Sequence, residues 1–169
     1  MRRVRYRVAT SLDGFVSGPK GEVDWIVKDP EMDFAAIMSE FDTLLVGRRT
    51  FELMERAGRA TTPGMNTIVF SSTLQQTAYP QVTIVRTGEK EVITALREET
   101  GRDIWLFGGP WLFSSLANQG LVDTVELAVM PVLLGRGVPL APQLEKTTRL
   151  RLMSQRTYKS GILMLEYAT

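Results

Sequence analysis

The chain has 169 residues, 44% of them hydrophobic and 23% charged, a formal net charge of +1, and neither cysteine nor histidine. That length suits one domain spanning 1–169, and the near-neutral balance argues against a nucleic-acid binder. The missing residue types exclude disulfides, thiolate metal sites, a cysteine nucleophile, every Ser-His-Asp triad and nearly every transition-metal centre, so no metal is expected.

No apolar run approaches the roughly 18 residues a membrane span needs. The basic start "MRRVRYRV" lacks the apolar region of a signal peptide, so a cytoplasmic protein away from membranes is expected. Proton transfer in such a chain falls to Asp, Glu, Lys, Tyr or water, which makes a cofactor that carries the hard chemistry attractive.

"VRYRVA" (4–9) alternates at period 2 and predicts a strand, although Arg5 and Arg7 then share one face of a strand expected to be central. Residues 11–29, with three glycines and a proline, read as a long loop. The apolar content of that loop (Leu12, Phe15, Val16, Val23, Trp25, Ile26) points to a lid rather than a solvated linker. "DPEMDFAAIMSEF" (29–41) predicts a helix with Asp29 as N-cap, Pro30 first, and Phe34, Ile37, Met38 and Phe41 on one face.

"TLLVG" (43–47) reads as a buried strand, "RTFELMERA" (49–57) as a helix, and "NTIVFSS" (66–72) and "QVTIVRT" (81–87) as strands. A helix over 89–101 is expected to close at Gly101. "DIWLFGG" is the next strand and "PWLFSSLANQG" the next helix, followed by a long strand over 123–135. A hairpin over 150–168 turns at Ser160-Gly161. Strand and helix alternate through residue 120 and strands dominate afterwards. The pattern predicts a mixed, mostly parallel twisted α/β sheet with helices on both faces and an antiparallel C-terminal hairpin.

Four junctions carry the chemistry. In "FGGPWLF" a strand ends in Gly108 and Gly109 and opens a helix at Pro110, a geometry that leaves backbone N–H groups free for an anion. In "LLVGRRTFE" Gly47, Arg48, Arg49 and Thr50 stand where another strand meets a helix, and guanidinium groups and a hydroxyl there suit a phosphate. Ser71 and Ser72 end one strand and Arg86 the next. In a parallel sheet these strand ends fall on the edge where ligands bind, which suggests a ligand with several phosphates. The fourth junction is the loop at 10–26, with Asp13 and Asp24. The bland alternatives, glycine and serine turns and solvated arginines, stay open for each site taken alone.

In combination and order, "SLDGF", "VDWI", "DTLLVGRRTFE", "FGGPWLFSSLANQGLVD" and "VMPVLLGRGVPL" resemble the dihydrofolate reductase superfamily. The nearer resemblance is to the reductase domain of the bacterial riboflavin-biosynthesis deaminase-reductase. It implies a dihydrofolate reductase-like three-layer fold and NADPH as hydride donor to a small pteridine- or aminopyrimidine-like substrate, such as a phosphoribosylamino-uracil. It also implies a homodimer.

Carried onto this chain, the resemblance puts the cofactor's phosphates at Arg48, Arg49, Thr50, Ser71, Ser72 and Arg86. The glycine turn lies along the cofactor at Gly108 and Gly109 (with Gly47, Pro110 and Leu112), and Ala9 and Val16 flank the nicotinamide. A carboxylate would assist protonation, with Asp33 and Glu31 on the first helix and Asp13 or Asp24 on the loop as candidates. Pro110 and Phe113 stand where dihydrofolate reductases carry a third glycine and a tyrosine. The substrate-handling arginine of the helix and the later segment of the riboflavin reductases are absent. An NADPH-binding paralogue or sensor without reductase activity, a classical dihydrofolate reductase and a structural dimer without cofactor remain as alternatives.

Overall fold

Alternating side chains make Val4–Ser11 a strand (β1) with two working faces: Val4 and Tyr6 are buried on one, Arg5 and Arg7 point to the other. A computed structural model describes residues 1–169. After β1 come β2 (Phe15–Ser17), α1 (Phe34–Ser39), β3 (Phe41–Gly47) and α2 (Arg48–Arg56). Next are β4 (Asn66–Phe70), a single 3₁₀ turn (Gln76–Ala78), β5 (Thr83–Val85), α3 (Glu89–Glu98), β6 (Asp103–Gly108) and α4 (Pro110–Asn118). The chain ends with β7 (Thr124–Met130), β8 (Val138–Pro139), β9 (Arg151–Thr157) and β10 (Leu163–Ala168).

Eight strands form one sheet in the order β5-β4-β3-β6-β1-β7-β10-β9. The first six are mutually parallel, and the β9–β10 hairpin adds antiparallel to β7. This is the mixed, mostly parallel sheet with an antiparallel C-terminal hairpin that the sequence pattern predicts. Helices cover both faces. Ile93 and Leu96 of α3 and Leu112, Phe113 and Leu116 of α4 pack over Val4, Tyr6, Leu45, Ile104 and Leu106. On the opposite face Phe51 of α2 and the half-buried Ile37 and Met38 of α1 pack over Leu44, Val46, Val69 and Trp105. The Tyr6 ring stacks on Phe113 at 3.9 Å, and burial pushes its phenol above its ordinary range. No helix is long and apolar enough to cross a membrane.

The arginines of β1 find their counter-charges on that second face. Arg5 donates from Nε to Glu126 Oε1 (2.6 Å) and from a terminal nitrogen to Glu126 Oε2 (2.9 Å), and it reaches Glu40 at 2.5 Å. Burial alone would favour the neutral guanidinium, but Glu126 and Glu40 hold it charged. Arg7 joins Glu40 and Glu126 at 3.3 and 3.4 Å. The Arg5 guanidinium also lies over the Phe41 ring.

Four local expectations change. The helix predicted from Asp29 starts at Phe34, with Asp33 as its N-cap, accepting from the Ala36 N–H at 2.9 Å. Asp29 instead caps a turn through the Glu31 N–H and accepts from the Ser160 N–H across the fold. Gly101 does not close α3 by a left-handed turn; Glu98 ends the helix. Gly101 is there for close approach, since a Cβ would lie 2.5 Å from Asp42 Oδ2. The strand predicted to 135 ends at Met130, where the backbone turns to bond Leu12 N–H to Val132. The long loop after β1 contains β2, which pairs with β8.

Candidate functional site

Because the six strands run parallel, their C-terminal ends share one edge, and register fixes the order along it. Phe70 at the end of β4 pairs Val85 of β5, Gly47 of β3 pairs Phe70, and Val46 lies beside Gly108 of β6. Arg86, Ser71-Ser72, Gly47–Thr50 and Gly108–Pro110 therefore form one row. Ala9 continues it on β1, paired with Ala128 of β7. Crossover connections, through a helix everywhere except the 3₁₀ turn between β4 and β5, bring these residues together from as far apart in the chain as Ala9 and Pro110.

Within the row, α2 and α4 begin side by side. Their N-caps are Gly47 and Gly109, neither offers a side-chain cap, and neither helix has an acidic residue in its first turn. The first-turn N–H groups are thus available to an anion, and the helix dipoles favour one. The Gly108–Gly109 peptide is cis, with Gly108 at φ 136. A Cβ on Gly109 would sit 3.0 Å from Thr50 Oγ1 of α2, a tight approach, whereas one on Gly47 would meet Leu112 Cβ of α4 in ordinary contact at 3.7 Å. Pro110 is buried at the first helical position.

Arg48 and Arg49 are exposed on the first turn of α2. Arg48 reaches Glu52 at 3.2 Å; Arg49 lies over the Trp111 ring, 5.2 Å from its centroid, and forms no ion pair. Ser71 is buried and its Oγ caps the following turn, accepting from the Thr73 and Leu74 N–H groups. Ser72 is exposed, and Arg86 donates to its carbonyl at 2.9 Å. The chemistry of this donor set suits phosphate: uncapped helix starts, two arginines on α2, a hydroxyl and a third arginine at one edge.

The lid candidates sit beyond Ala9. Val16, half-buried on β2, is held near β1 because Thr10 Oγ1 donates to the Phe15 carbonyl and Ser11 Oγ accepts from Phe15 N–H. The Asp13 carboxylate takes the Ser11 hydroxyl (2.6 Å) and the Leu134 and Gly135 N–H groups (3.1 and 2.7 Å). These donors lower its pKa to about 2 and tie the loop after β1 to the loop after β7.

Of the other two carboxylates, Glu31 pairs with Lys159 at 3.0 Å, and Asp33 spends one oxygen on the α1 cap. Asp24 is exposed on the loop. Sequence reasoning missed two features beside the row. One is the Arg5–Glu126–Glu40 cluster on the sheet face below Ala9, signalled by the lone charge inside "TVELAV". The other is Trp111, signalled by an aromatic directly after the glycine turn.

Known proteins share this architecture. The dihydrofolate reductase from Enterococcus faecalis complexed with NADP(H) superposes with a TM-score of 0.67 at 19% identity, covering 98% of this chain and 95% of that one. A putative riboflavin biosynthesis protein from Shewanella sp. PV-4 superposes with a TM-score of 0.84 at 24% identity, over 99% of this chain and 98% of its own. The uncharacterized protein YyaP of Bacillus subtilis is 34% identical over 178 residues, which cover 98% of this chain and 94% of YyaP. The family model of the RibD C-terminal domain matches residues 2–164. With nearly the whole length matched, the chain belongs to the RibD C-terminal domain family, whose members support a reductase-type function.

Proposed function

We propose that this chain is an NADPH-dependent reductase acting on a small heterocyclic substrate of the pteridine or aminopyrimidine kind, with a phosphoribosylamino-uracil as the first compound to test. The observation that carries this reading is the pair of uncapped helix starts, α2 and α4, set side by side with Arg48 and Arg49 on the first of them. Arg48, Arg49, Thr50 and Ser72 would hold the adenosine 2′-phosphate and pyrophosphate, with Arg86 as a further cation and Ser71 shaping the turn beneath. Gly47, Gly108, Gly109, Pro110 and Leu112 keep the wall low enough for a dinucleotide to lie against it. Ala9 and Val16 border the position of the nicotinamide.

NADPH, when bound, supplies hydride from nicotinamide C4. The chain's own part is to orient the substrate above Ala9, exclude water beneath the lid and deliver a proton. Asp33 gives one oxygen to the α1 cap and keeps the other for the substrate side, where it acts through water. Asp13 is committed to tying two loops, and Glu31 to Lys159. Assembly as a homodimer is part of the same proposal. All seven residues of the edge strand β9 are exposed, and Leu150, Leu152 and Met153 beside and within it are exposed apolar side chains.

The test adds NADPH and NADH separately and follows the melting temperature. NADPH raises it more. Replacing Arg48 and Arg49 by Ala weakens NADPH by about 10- to 100-fold, the loss of one charge-assisted phosphate contact or two, and weakens NADH less; equal effects on the two count against the 2′-phosphate assignment. No response to either nucleotide overturns the proposal. Binding without NADPH oxidation across dihydrofolate, an aminouracil ribosylamine and small imines identifies a cofactor-binding sensor instead.

A further inference from the structure

The C-terminal hairpin carries two charged side chains that the fold leaves without a counter-charge. Glu166 of β10 stands directly opposite Glu126 of β7. Like charges in that position destabilise a sheet unless each is compensated. Glu126 is compensated by Arg5, whereas Glu166 enters no ion pair and accepts only from Ser154 Oγ, at 3.0 Å. Arg156 of β9 lies diagonally across from Glu166, because Met164 pairs Arg156 and Glu166 pairs Ser154. Diagonal neighbours are within reach of long side chains, yet these two do not meet. The Arg156 guanidinium instead lies over the Tyr158 ring, 4.5 Å from its centroid, and its N–H groups make no hydrogen bond.

Both side chains line one cavity of about 240 Å³ on the sheet face that carries Arg5 and Arg7. Its floor is the Arg5–Glu126–Glu40 cluster, whose charges already pair with one another, and Met164 and Tyr158 add apolar surface. Pockets for drug-sized ligands span about 300–1,000 Å³, so the occupant here is smaller. The register Ala9↔Ala128, Met164↔Ala128 and Met164↔Arg156 sets Arg156 three strands from Ala9, roughly 14 Å at the usual strand spacing. A ligand of this size does not span that distance, so the cavity is a site separate from the row at the strand ends. Its two unused groups are complementary to opposite charges held close together. The guanidinium fork takes a carboxylate through two N–H groups, and the remaining Glu166 oxygen takes a cationic N–H group. A lone anion would be repelled by Glu166, and a lone cation by Arg156 and Arg7. We propose that the hairpin cavity binds a free α-amino acid as its zwitterion, carboxylate on Arg156 and ammonium on Glu166, with an apolar side chain against Met164 and Tyr158. The site is independent of the NADPH reading.

The experiment is a calorimetric titration of the full chain with L-leucine, isopentylamine and isocaproate, the last two being leucine without its carboxylate and without its ammonium. Wild type is compared with Arg156→Gln and Glu166→Gln, and melting temperature, its response to NADPH and sedimentation are measured alongside. L-leucine is expected to bind saturably with a Kd below about 10 mM, and each analogue about 10- to 100-fold more weakly, the loss of one charge-assisted contact. Each substitution weakens L-leucine by a similar factor and leaves the response to NADPH unchanged. The analogues are compared on wild type alone, so that result holds even where a variant folds poorly. An analogue that binds as tightly as L-leucine, or no binding of L-leucine below about 10 mM, overturns the inference and leaves the NADPH reading standing. A wild-type dimer that either substitution dissociates assigns Arg156 and Glu166 to a second copy and overturns the inference as well.

Discussion

Glu126 is 3% exposed in the middle of the sheet, and it accepts two hydrogen bonds from Arg5, itself 6% exposed, and one from Thr124 Oγ1. Glu126→Ala removes the bidentate partner and leaves a guanidinium in the interior. Breaking one side of a buried pair costs about 3–5 kcal/mol. Arg5 keeps Glu40 at 2.5 Å and Asp103 at 3.3 Å, so the low end applies, about 3 kcal/mol. For a chain of this length each kcal/mol moves the melting temperature by about 2–4 °C, giving a fall of about 6–12 °C.

The double variant Arg5→Leu/Glu126→Leu removes both charges and fills the space. It is expected within about 1 kcal/mol of wild type, because the desolvation cost disappears with the attraction. Arg7 still has Glu40 and Asp103 still has Arg3 in that variant. Thermal and urea unfolding by circular dichroism check both variants. A single variant that melts within 2 °C of wild type (an order-of-magnitude threshold), or a double variant as weak as the single, refutes the reasoning.

Other outcomes follow from the site and its supports. Asp33→Asn keeps the α1 cap, since Asn caps as well as Asp, and removes the acid; kcat is expected to fall by about 100-fold with little change in melting temperature, and an unchanged kcat removes Asp33 from the mechanism. Asp13 has its folded pKa depressed to about 2 from 3.8, so its stabilisation is present above the unfolded value and lost as pH falls through the folded one. Asp13→Asn should therefore melt lower than wild type near neutrality, with the gap closing between about pH 4 and pH 2; a gap independent of pH contradicts this. Gly101→Ala puts a Cβ against Asp42 Oδ2 and Arg2, and is expected to cost about 1–3 kcal/mol in urea unfolding. Leu152→Glu with Met153→Glu should shift sedimentation from dimer to monomer; a wild type that sediments as a monomer at micromolar concentration rejects the homodimer.

The fold was legible wherever local chemistry and tertiary position agree. Alternation in "VRYRVA", glycine at the ends of β3 and β6 and the hairpin turn at Gly161 each reflect a backbone need that a short window contains. What a window does not contain is a distant partner. Asp29-Pro30 has the composition of a helix start, yet its carboxylate goes to Ser160, 131 residues away, and the helix waits for Asp33. Gly101 has the composition of a helix stop, yet its reason is the Arg2–Asp42 pair from two other segments. Arg5 and Arg7 made no sense on a central strand until Glu126 and Glu40 stood beside them. That the candidate residues share one sheet edge was readable because each strand end carries its own signal and parallel order supplies the rest. The exposure of Trp111 was not, because an aromatic on a helix is ordinarily core, and only its place under Arg49 separates it from the buried Phe113.

The place of β1 bears on how the polypeptide reaches this state. Its partners are β6, at Val4↔Ile104, and β7, at Arg5↔Thr124. The strand therefore stays unpaired until the 100 residues that separate Val4 from Ile104 have been made, while β3 and β4 can already zip together behind it. Pairings of such long sequence separation are slow to close, because the loop entropy is lost before the ladder repays it. For that interval the segment 4–11 has open edges and an apolar face of Val4, Tyr6 and Val8, and the two arginines of its other face keep copies apart until Glu126 arrives to neutralise them.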